Sequence, residues 1–269
     1  MSRLFQATVT ENKELIKNHH LLTLHPSEKI QKPKPGNFFM LSVNEGLDPL
    51  LKRPFSIHRS VNGDIQFLYR VVGKGTGILS IKKPGNSIEV LGPLGNSFTV
   101  TGKQKHIILI AGGLGIAPIF SLAESLIRPL SQSKKGGSNN KLMLFYGART
   151  KDEILYENEL SSIGFKTMIA TDDGTAGKKG NIINIFKSYI MHSSSPVKNY
   201  SIYACGPEAM LKSLSTIIHK HKLKGFAALE QNMACGLGTC LGCVVNTKHG
   251  YKRVCKEGPV FPIEDILWD

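Results

Sequence analysis

The stretch HIILIAGGLGIAPIF, residues 106–120, determines how the middle of the chain folds. Its first half is apolar enough for a buried strand, and its second half has the pattern of a helix. Between them, Gly113, Gly115 and Pro118 form G-x-G-x-x-P, a turn in which glycines let backbone N–H groups approach a pyrophosphate. Proline in the third slot departs from the dinucleotide fingerprint but suits a first helical turn. The pattern predicts a nucleotide site, and the alternative is a turn that needs glycine for its geometry alone.

Strands and helices continue to alternate from this stretch to residue 223. KLMLFYGAR, FKTMIATDDG and NYSIYACGP have the pattern of strands, which predicts a parallel sheet covered by helices over residues 102–223. Ligands bind at the carboxyl ends of such strands. Cys205, Gly206 and Pro207 lie at one of these ends and are predicted cofactor contacts. For Cys205, a small buried side chain without a cofactor role is the alternative.

Residues 1–101 have the pattern of short strands separated by turns such as KPG, NG and GPLG, with no helix between them. This pattern predicts an antiparallel β-barrel. In LLKRPFSIHRS, Arg53 has the fork that clamps a phosphate, and the Ser56 hydroxyl is suited to a ring nitrogen of a planar cofactor. An ordinary strand with an exposed arginine is the alternative. The predicted cofactor contacts of this part are Arg53, Pro54, Phe55, Ser56, Leu68, Tyr69, Arg70, Gly75 and Thr76.

Cysteines mark the segment 224–269, which is too small to form a core of its own. Cys235, Cys240 and Cys243 form C-x4-C-x2-C, and Cys255 follows further along the chain. This is the plant-type spacing of a 2Fe-2S cluster, so the four residues are predicted iron ligands. Structural zinc is the alternative, but such sites usually pair two short knuckles and only one is present. The odd total of five cysteines argues against a disulfide framework.

The motifs R-P-F-S, G-x-G-T, G-G-L-G-I-A-P and C-G-P, in this order, resemble the ferredoxin-NADP reductase superfamily. The resemblance implies an FAD-binding barrel followed by a nicotinamide-nucleotide domain. It also implies that Arg53 contacts the FAD pyrophosphate, that Ser56 lies near flavin N5, and that the C-G-P segment approaches the nicotinamide. Phe55 stands where the superfamily frequently has tyrosine, a change that leaves flavin packing possible.

With E-Q-N-M-A-C-G-L-G-T-C-L-G-C and V-C-K-E-G-P-V-F, the whole chain is similar to the electron-transfer subunits of class 1B dihydroorotate dehydrogenases. This similarity implies FAD, a 2Fe-2S cluster and NAD as co-substrate. It further implies a catalytic partner subunit that carries FMN and oxidises dihydroorotate in pyrimidine synthesis, in a heterotetramer of two plus two subunits. The chain itself has no feature that recognises dihydroorotate, and we assign no residue a catalytic role.

Two other functions are compatible with parts of the sequence. An NAD(P)H-dependent reductase serving ferredoxin, sulfide or an oxygenase would have similar flavin and nucleotide motifs. The net charge of +14 and the four thiols would also suit a zinc-clipped nucleic-acid-binding protein, but the lysines are scattered and no nucleic-acid-binding motif is present. We expect a cytoplasmic protein without a membrane span, because no leader-like or long apolar run occurs.

Overall fold

The structure of the chain is a computed structural model that describes residues 2–100, 106–132, 141–162, 164–193, 195–196 and 199–268. Within these residues, two seven-stranded sheets and a small two-stranded sheet form the framework. The sequence predicts a boundary between the first two domains at residues 101 and 102, and both residues lie outside the described ranges. The expected boundary at residue 223 stays a prediction.

The first sheet is antiparallel and has the strand order β4-β3-β7-β1-β2-β6-β5. Along the long strands, buried residues alternate with solvent-facing ones. Leu22, Phe39 and Phe67 lie in the core on the buried face of this sheet. The strands are β1 (Arg3–Ile16), β2 (His19–Pro26), β3 (Phe38–Leu41), β4 (Arg53–Ser56), β5 (Arg59–Val61), β6 (Asp64–Arg70) and β7 (Ser87–Leu94).

A short helix, α1 (Lys74–Ser80), interrupts the strands that the sequence predicts to follow one another without a helix. Its sequence, KGTGILS, contains two glycines and gives a weak helical signal. The Thr76 hydroxyl accepts hydrogen bonds from the backbone N–H groups of Val72 (2.9 Å) and Gly73 (3.2 Å). These bonds satisfy backbone donors just before the helix and explain why it begins there.

The second sheet is mixed and mostly parallel, with the order β11-β10-β9-β8-β12-β13-β16, in which only the β13–β16 pairing is antiparallel. Every residue of its central strand is buried, as expected for a parallel strand covered by helices on both faces. The strands are β8 (His106–Gly112), β9 (Lys141–Ala148), β10 (Lys166–Thr171), β11 (Lys178–Lys179), β12 (Tyr200–Cys205), β13 (Gly225–Ala228) and β16 (Val260–Pro262). The helices are α2 (Ile116–Gln132), α3 (Glu157–Ser162), α4 (Ile182–Met191) and α5 (Glu208–Lys220).

The C-terminal part of the chain extends the second sheet and contacts the loop that follows the first sheet's strand β7. Its strands β13 and β16 extend the second sheet, while β14 (Val244–Thr247) and β15 (Gly250–Arg253) form a separate hairpin. The side chain of Asn96, just after β7, donates to the carbonyls of Glu257 (2.9 Å) and Val260 (2.8 Å) and accepts from the Val260 N–H (2.9 Å). The segment therefore lacks a core of its own, as predicted, and is held against the rest of the protein.

A buried histidine lies where the first sheet meets helix α2. The His58 side chain is fully buried, 3.4 Å from the Ala117 carbonyl and packed against the rings of Phe120 and Tyr156. The next residue, Arg59, pairs with Glu124 of α2 at 2.5 Å. Burial lowers the pKa of His58 to about 3, and the neighbouring charge of Arg59 acts in the same direction. The imidazole is therefore neutral when the protein is folded at ordinary pH.

This buried imidazole makes the free energy of unfolding depend on pH. The unfolded chain protonates His58 below its ordinary pKa of 6.5, whereas the folded chain does so only near 3, so stability falls as pH drops between these values. We expect about 1.4 kcal/mol to be lost between about pH 7.5 and about pH 5.5. Urea unfolding of the parent chain and of His58→Asn at both pH values measures this, with the exposed His219→Asn as control. An equal pH dependence in the parent and His58→Asn would contradict the assignment.

Candidate redox site

The hairpin β14–β15 brings the four cysteines of the C-terminal segment together. Cys235 and Cys240 lie in the loop before the hairpin, Cys243 at its start and Cys255 just after its end. The Val254 N–H donates to the Cys243 carbonyl at 2.8 Å. Cys243 and Cys255 are buried, Cys235 is half-buried and Cys240 is exposed. The long gap between the third and fourth cysteines in sequence is thus closed by a turn of the chain.

The thiols form two pairs. The sulfur of Cys243 accepts a hydrogen bond from the Cys255 N–H at 3.4 Å, and the two thiols of this pair interact directly. Cys235 and Cys240 form the second pair, and the Cys235 sulfur also accepts from the Leu237 N–H at 3.4 Å. Burial raises the pKa of Cys255, whereas at Cys235 burial is outweighed by backbone N–H donors that lower the pKa.

This donor set suits an iron–sulfur cluster. In a 2Fe-2S centre the four protein ligands are divided between two irons, and N–H groups directed at sulfur stabilise its negative charge. Among the described residues, no group of three or more His, Cys, Asp or Glu side chains is arranged around a single metal ion. Cys235, Cys240, Cys243 and Cys255 are the residues that would hold the cluster.

The loop that carries Cys235 and Cys240, here called the cluster loop, packs directly on the first sheet. Gly236 has a φ of +69°, and a Cβ on it would lie 2.7 Å from Cγ of Met40. In the sheet, Met40 is the register partner of Pro54, which belongs to the R-P-F-S strand β4. The loop carrying Cys235 is therefore one strand away from the predicted flavin contacts.

The structure brings Arg53 and Gly75 together and gives other predicted flavin contacts local roles. A Cβ on Gly75 would lie 2.8 Å from Nε of Arg53, whose Nη1 donates to the Leu51 carbonyl at 2.6 Å. The half-buried ring of Phe55 packs edge-on against Tyr69 at 5.8 Å. Pro54 and Ser56 lie half-buried on the same strand, Leu68 is buried against the second sheet's core, and Arg70 is exposed.

Two of these residues have hydroxyls with protein partners. Tyr69 is buried, and its hydroxyl donates to Oδ1 of Asn12 at 2.9 Å. The Thr76 hydroxyl donates to the Gly73 carbonyl at 3.1 Å and accepts the N–H bonds at the start of α1. Both remain predicted cofactor contacts, and in this structure their side chains support the local fold.

The two predicted nucleotide turns are in contact. A Cβ on Gly115 would lie 2.2 Å from the Cys205 carbonyl oxygen and 2.8 Å from the Gly206 nitrogen. Gly113 and Gly115 form a 3-10 turn that leads into α2, with Pro118 in the first helical turn. The structure therefore places the G-x-G-x-x-P and C-G-P segments at the carboxyl ends of β8 and β12, side by side, as the sequence predicts.

Glu230 is a candidate that the sequence analysis did not single out. It lies in an open cleft, where burial raises its pKa and the charge of Arg70 opposes the shift. It also lies close to Cys205, whose pKa is raised by burial first and by Glu230 second. The Glu230 side chain reaches solvent through the open side of the cleft, while the cleft walls surround its other sides. A sequence signal was available, since Glu230 is the first residue of the stretch E-Q-N-M-A-C-G-L-G-T-C-L-G-C that carries the family resemblance.

A cavity of about 420 Å³ lies beside Glu230. Its walls come from the C-G-P turn, the start of α5, the β14–β15 hairpin and the chain end, through Gly206, Glu208, Asn246, Tyr251 and Trp268. The cavity thus lies between the predicted nucleotide turn and the hairpin of the cysteine segment.

Comparison with known proteins decides the family. Residues 230–267 match the iron-sulfur cluster binding domain of dihydroorotate dehydrogenase B, and residues 109–216 match the oxidoreductase NAD-binding domain. The electron transfer subunit of dihydroorotate dehydrogenase B (NAD(+)) from Desulforamulus reducens is 35% identical over 275 positions, covering 100% of both chains. The chain belongs to the electron transfer subunits of dihydroorotate dehydrogenase B. A Bacillus cereus member of the same family is 35% identical and covers 96% of each chain.

Solved structures agree with the fold of these electron transfer subunits. The structure of an NADH-dependent reduced ferredoxin-NADP oxidoreductase has a TM-score of 0.83 at 25% identity, covering 98% of this chain and 90% of its own. A ferredoxin NADP+ reductase from Neisseria gonorrhoeae, solved with FAD and NADP, has a TM-score of 0.68 at 14% identity, covering 81% and 91%. The predicted fold class is confirmed, with the barrel as an antiparallel half-barrel sheet, and so is the prediction of an oxidoreductase subunit.

Membership of this family implies a catalytic partner for the chain. In the part of the chain that the structure describes, every helix is too short or too polar to cross a membrane.

Proposed function

We propose that this chain carries electrons from the FMN of a dihydroorotate-oxidising partner subunit, through a 2Fe-2S cluster and FAD, to NAD+ in pyrimidine biosynthesis. A flavin exchanges a hydride with nicotinamide and single electrons with a cluster, so it joins two-electron to one-electron chemistry. Arg53 and Ser56 would hold the FAD, and the four cysteines Cys235, Cys240, Cys243 and Cys255 the cluster. The contacting turns at Gly115 and Gly206 would bind the nucleotide.

The contact between the cluster loop and strand β3 carries this proposal, because β3 pairs with β4, the R-P-F-S strand. Gly236 lies against Met40 so closely that any side chain on it would clash, and Met40 pairs with Pro54. Electron transfer needs its two carriers close together, and the loop that contacts β3 is one strand away from β4, which carries the proposed flavin contacts. The backbone at Gly236, with its positive φ, is what lets the loop approach the sheet.

Residues near the second parallel strand favour NAD over NADP. Arg149, just after β9, has its guanidinium paired with the carboxylate of Glu153 through Nε at 2.9 and 3.1 Å. An arginine engaged in this way is less free to bind a 2′-phosphate, and the Glu153 carboxylate repels one. Asp172 and Asp173 follow the third strand, β10, and add negative charge.

The exposed face of the cluster loop is the proposed docking surface for the catalytic subunit. Cys240 is exposed, and the neighbouring Leu237 and Leu241 are 51% and 60% exposed. Leu241 also has a φ of +59°, a conformation that costs a leucine energy and that is retained at functional positions. Apolar side chains around an exposed ligand suit a partner that covers the cluster. We propose two such pairs of subunits in a heterotetramer.

The test uses this chain purified together with an FMN-containing dihydroorotate dehydrogenase catalytic subunit from the same genome. We expect the pair to reduce NAD+ with dihydroorotate, and neither subunit to do so alone. A pair that assembles with all cofactors but does not reduce NAD+ would overturn the proposal. NADH-driven reduction of ferredoxin by this chain under the same conditions would then favour the reductase function, which the likeness to the NADH-dependent ferredoxin-NADP oxidoreductase makes the second candidate.

Leu241→Asn tests the docking surface. Asparagine tolerates a positive φ, so the loop keeps its shape while the apolar contact is removed. We expect the dissociation constant for the catalytic subunit to rise about tenfold or more, with NADH-driven dye reduction by the isolated chain unchanged. Leu4→Asn, at a leucine that is 57% exposed on the first sheet, is the control and should leave binding unaltered. Equal affinities of parent and Leu241→Asn would place the partner elsewhere.

A further inference from the structure

An arginine next to the fourth cysteine makes an unusual set of contacts. Arg253 ends strand β15, and its backbone N–H and Nε both donate to Oε2 of Glu257, at 2.8 and 3.0 Å. Its Nη2 pairs with Oε1 of the same carboxylate. The remaining Nη1 donates to the Gly238 carbonyl at 2.8 Å. One guanidinium therefore holds a carboxylate with one edge and a loop carbonyl with the other.

These contacts tie the two thiol pairs to each other. Gly238 lies between Cys235 and Cys240, while Arg253 and Glu257 flank Cys255. Gly238 has a φ of +83°, and a Cβ on it would lie 2.7 Å from Cδ of Lys256, so the loop lies directly against the turn after Cys255. The Glu257 carbonyl in turn accepts from Asn96 of the half-barrel at 2.9 Å. The ion pair is thus fixed in place by both neighbouring segments.

The two charges lie close to the cluster ligands. The Arg253 guanidinium reaches the carbonyl of Gly238, which lies two residues before Cys240, and Arg253 itself lies two residues before Cys255. Its side chain is 28% exposed and that of Glu257 is 30% exposed, so solvent screens both only in part. A cluster gains negative charge when it is reduced, and net charge and hydrogen bonds around its sulfurs set its potential. A nearby cation favours the reduced form, and a carboxylate opposes it.

We propose that Arg253 and Glu257 are positioning residues that set the reduction potential of the cluster by holding opposed charges beside it. This inference rests on the proposed cluster. Unlike an ordinary surface ion pair, which contributes little to stability, this pair connects the ligand loop to the fourth ligand and fixes both charges relative to the sulfurs. Its two members act on the potential in opposite directions.

The test is an EPR-monitored redox titration of the full chain with Glu257→Gln, Arg253→Gln and the double variant. In Glu257→Gln the guanidinium is left uncompensated, so we expect the reduced-to-oxidised ratio at a fixed potential to rise roughly tenfold, or about 59 mV. In Arg253→Gln the ratio should fall by a similar factor, and the double variant should return near the parent. Lys256→Gln, which removes an exposed charge from the same turn, should shift the ratio much less because solvent screens it.

Several outcomes would overturn the inference: shifts of the same sign in both single variants, no shift in either, or a Lys256→Gln shift as large as that of Arg253→Gln. If Glu257→Gln assembles no cluster, Arg253→Lys decides, because it keeps the charge and loses the fork. A potential near that of the parent supports the inference, and a shift as large as in Arg253→Gln overturns it. A parent chain without any cluster signal would instead contradict the proposed function.

Discussion

Replacing Gly115 with alanine is expected to lower the rate of NADH-dependent flavin reduction roughly 10- to 100-fold. The added Cβ would lie 2.2 Å from the Cys205 carbonyl oxygen and 2.4 Å from its carbonyl carbon, and both are backbone atoms that no rotamer change can move. The two proposed nucleotide turns must therefore separate, which would displace the backbone groups proposed to face the nicotinamide nucleotide. Stopped-flow absorbance of the flavin after mixing with NADH measures the rate.

A second glycine-to-alanine variant separates this effect from a general loss of stability. Gly164 has a φ of +93°, and a Cβ on it meets nothing within 4 Å. Gly164→Ala should therefore cost about 1 kcal/mol of stability through its backbone conformation and keep the parent rate of flavin reduction. The flavin content and melting temperature of both variants are recorded alongside. If Gly115→Ala reduced its flavin as fast as Gly164→Ala, the contact between the two turns would have no part in nucleotide binding.

Replacing Cys240 with serine is expected to remove the visible bands of the cluster while FAD stays bound. Cys240 is the exposed one of the four proposed ligands, so the substitution should perturb the fold less than one at buried Cys243 or Cys255. Losing an outer-shell partner of a metal ligand typically lowers metal affinity about 10- to 100-fold, and losing a ligand itself should lower it more. Dihydroorotate-driven NAD+ reduction by the two-subunit complex should fall to a similar extent. Iron and sulfide analysis, absorbance and the coupled assay measure these effects.

The fifth cysteine is the matched control. Cys205 is buried at the end of β12, in contact with Gly115, and is not one of the four proposed ligands. Cys205→Ser should keep the iron content and cluster bands of the parent. NADH-driven dye reduction should survive in Cys240→Ser, since that reaction uses the flavin and nucleotide sites alone. Loss of FAD with an intact cluster in Cys240→Ser would contradict the assignment of these residues.

Local sequence patterns predicted much of the fold, because the formation of a single strand or turn depends mainly on residues that are close in sequence. The buried run at 106–112 and the glycine turn after it depend only on neighbouring residues, and the structure has both. Helix α1 was not predicted, because its two glycines give the segment a low helix propensity and its start depends on hydrogen bonds to the Thr76 hydroxyl. The strands β13 and β16 were also missed as parts of the second sheet, since they are short and pair across a long stretch of chain.

The candidate site was predictable where residue type determines the chemistry. The cysteine spacing predicted an iron–sulfur segment, and residues 230–267 match the family's cluster-binding domain. Which residues bind the iron stays a prediction. Contacts between distant residues were not predictable, as with Gly236 against Met40 or Glu230 near Arg70 and Cys205. Such contacts follow from how whole elements pack, and no spacing along the chain encodes them.

The antiparallel strand β16 gives the cysteine segment a second task. It covers β13 at the edge of the nucleotide sheet, and Asn96 binds the same segment to the half-barrel. Cutting the chain before β13 would leave β12 as an uncovered sheet edge, a site for non-native pairing with other chains. The iron–sulfur segment is consequently not a detachable module, and grafting it onto another flavin reductase would require the host to give up an edge of its own sheet.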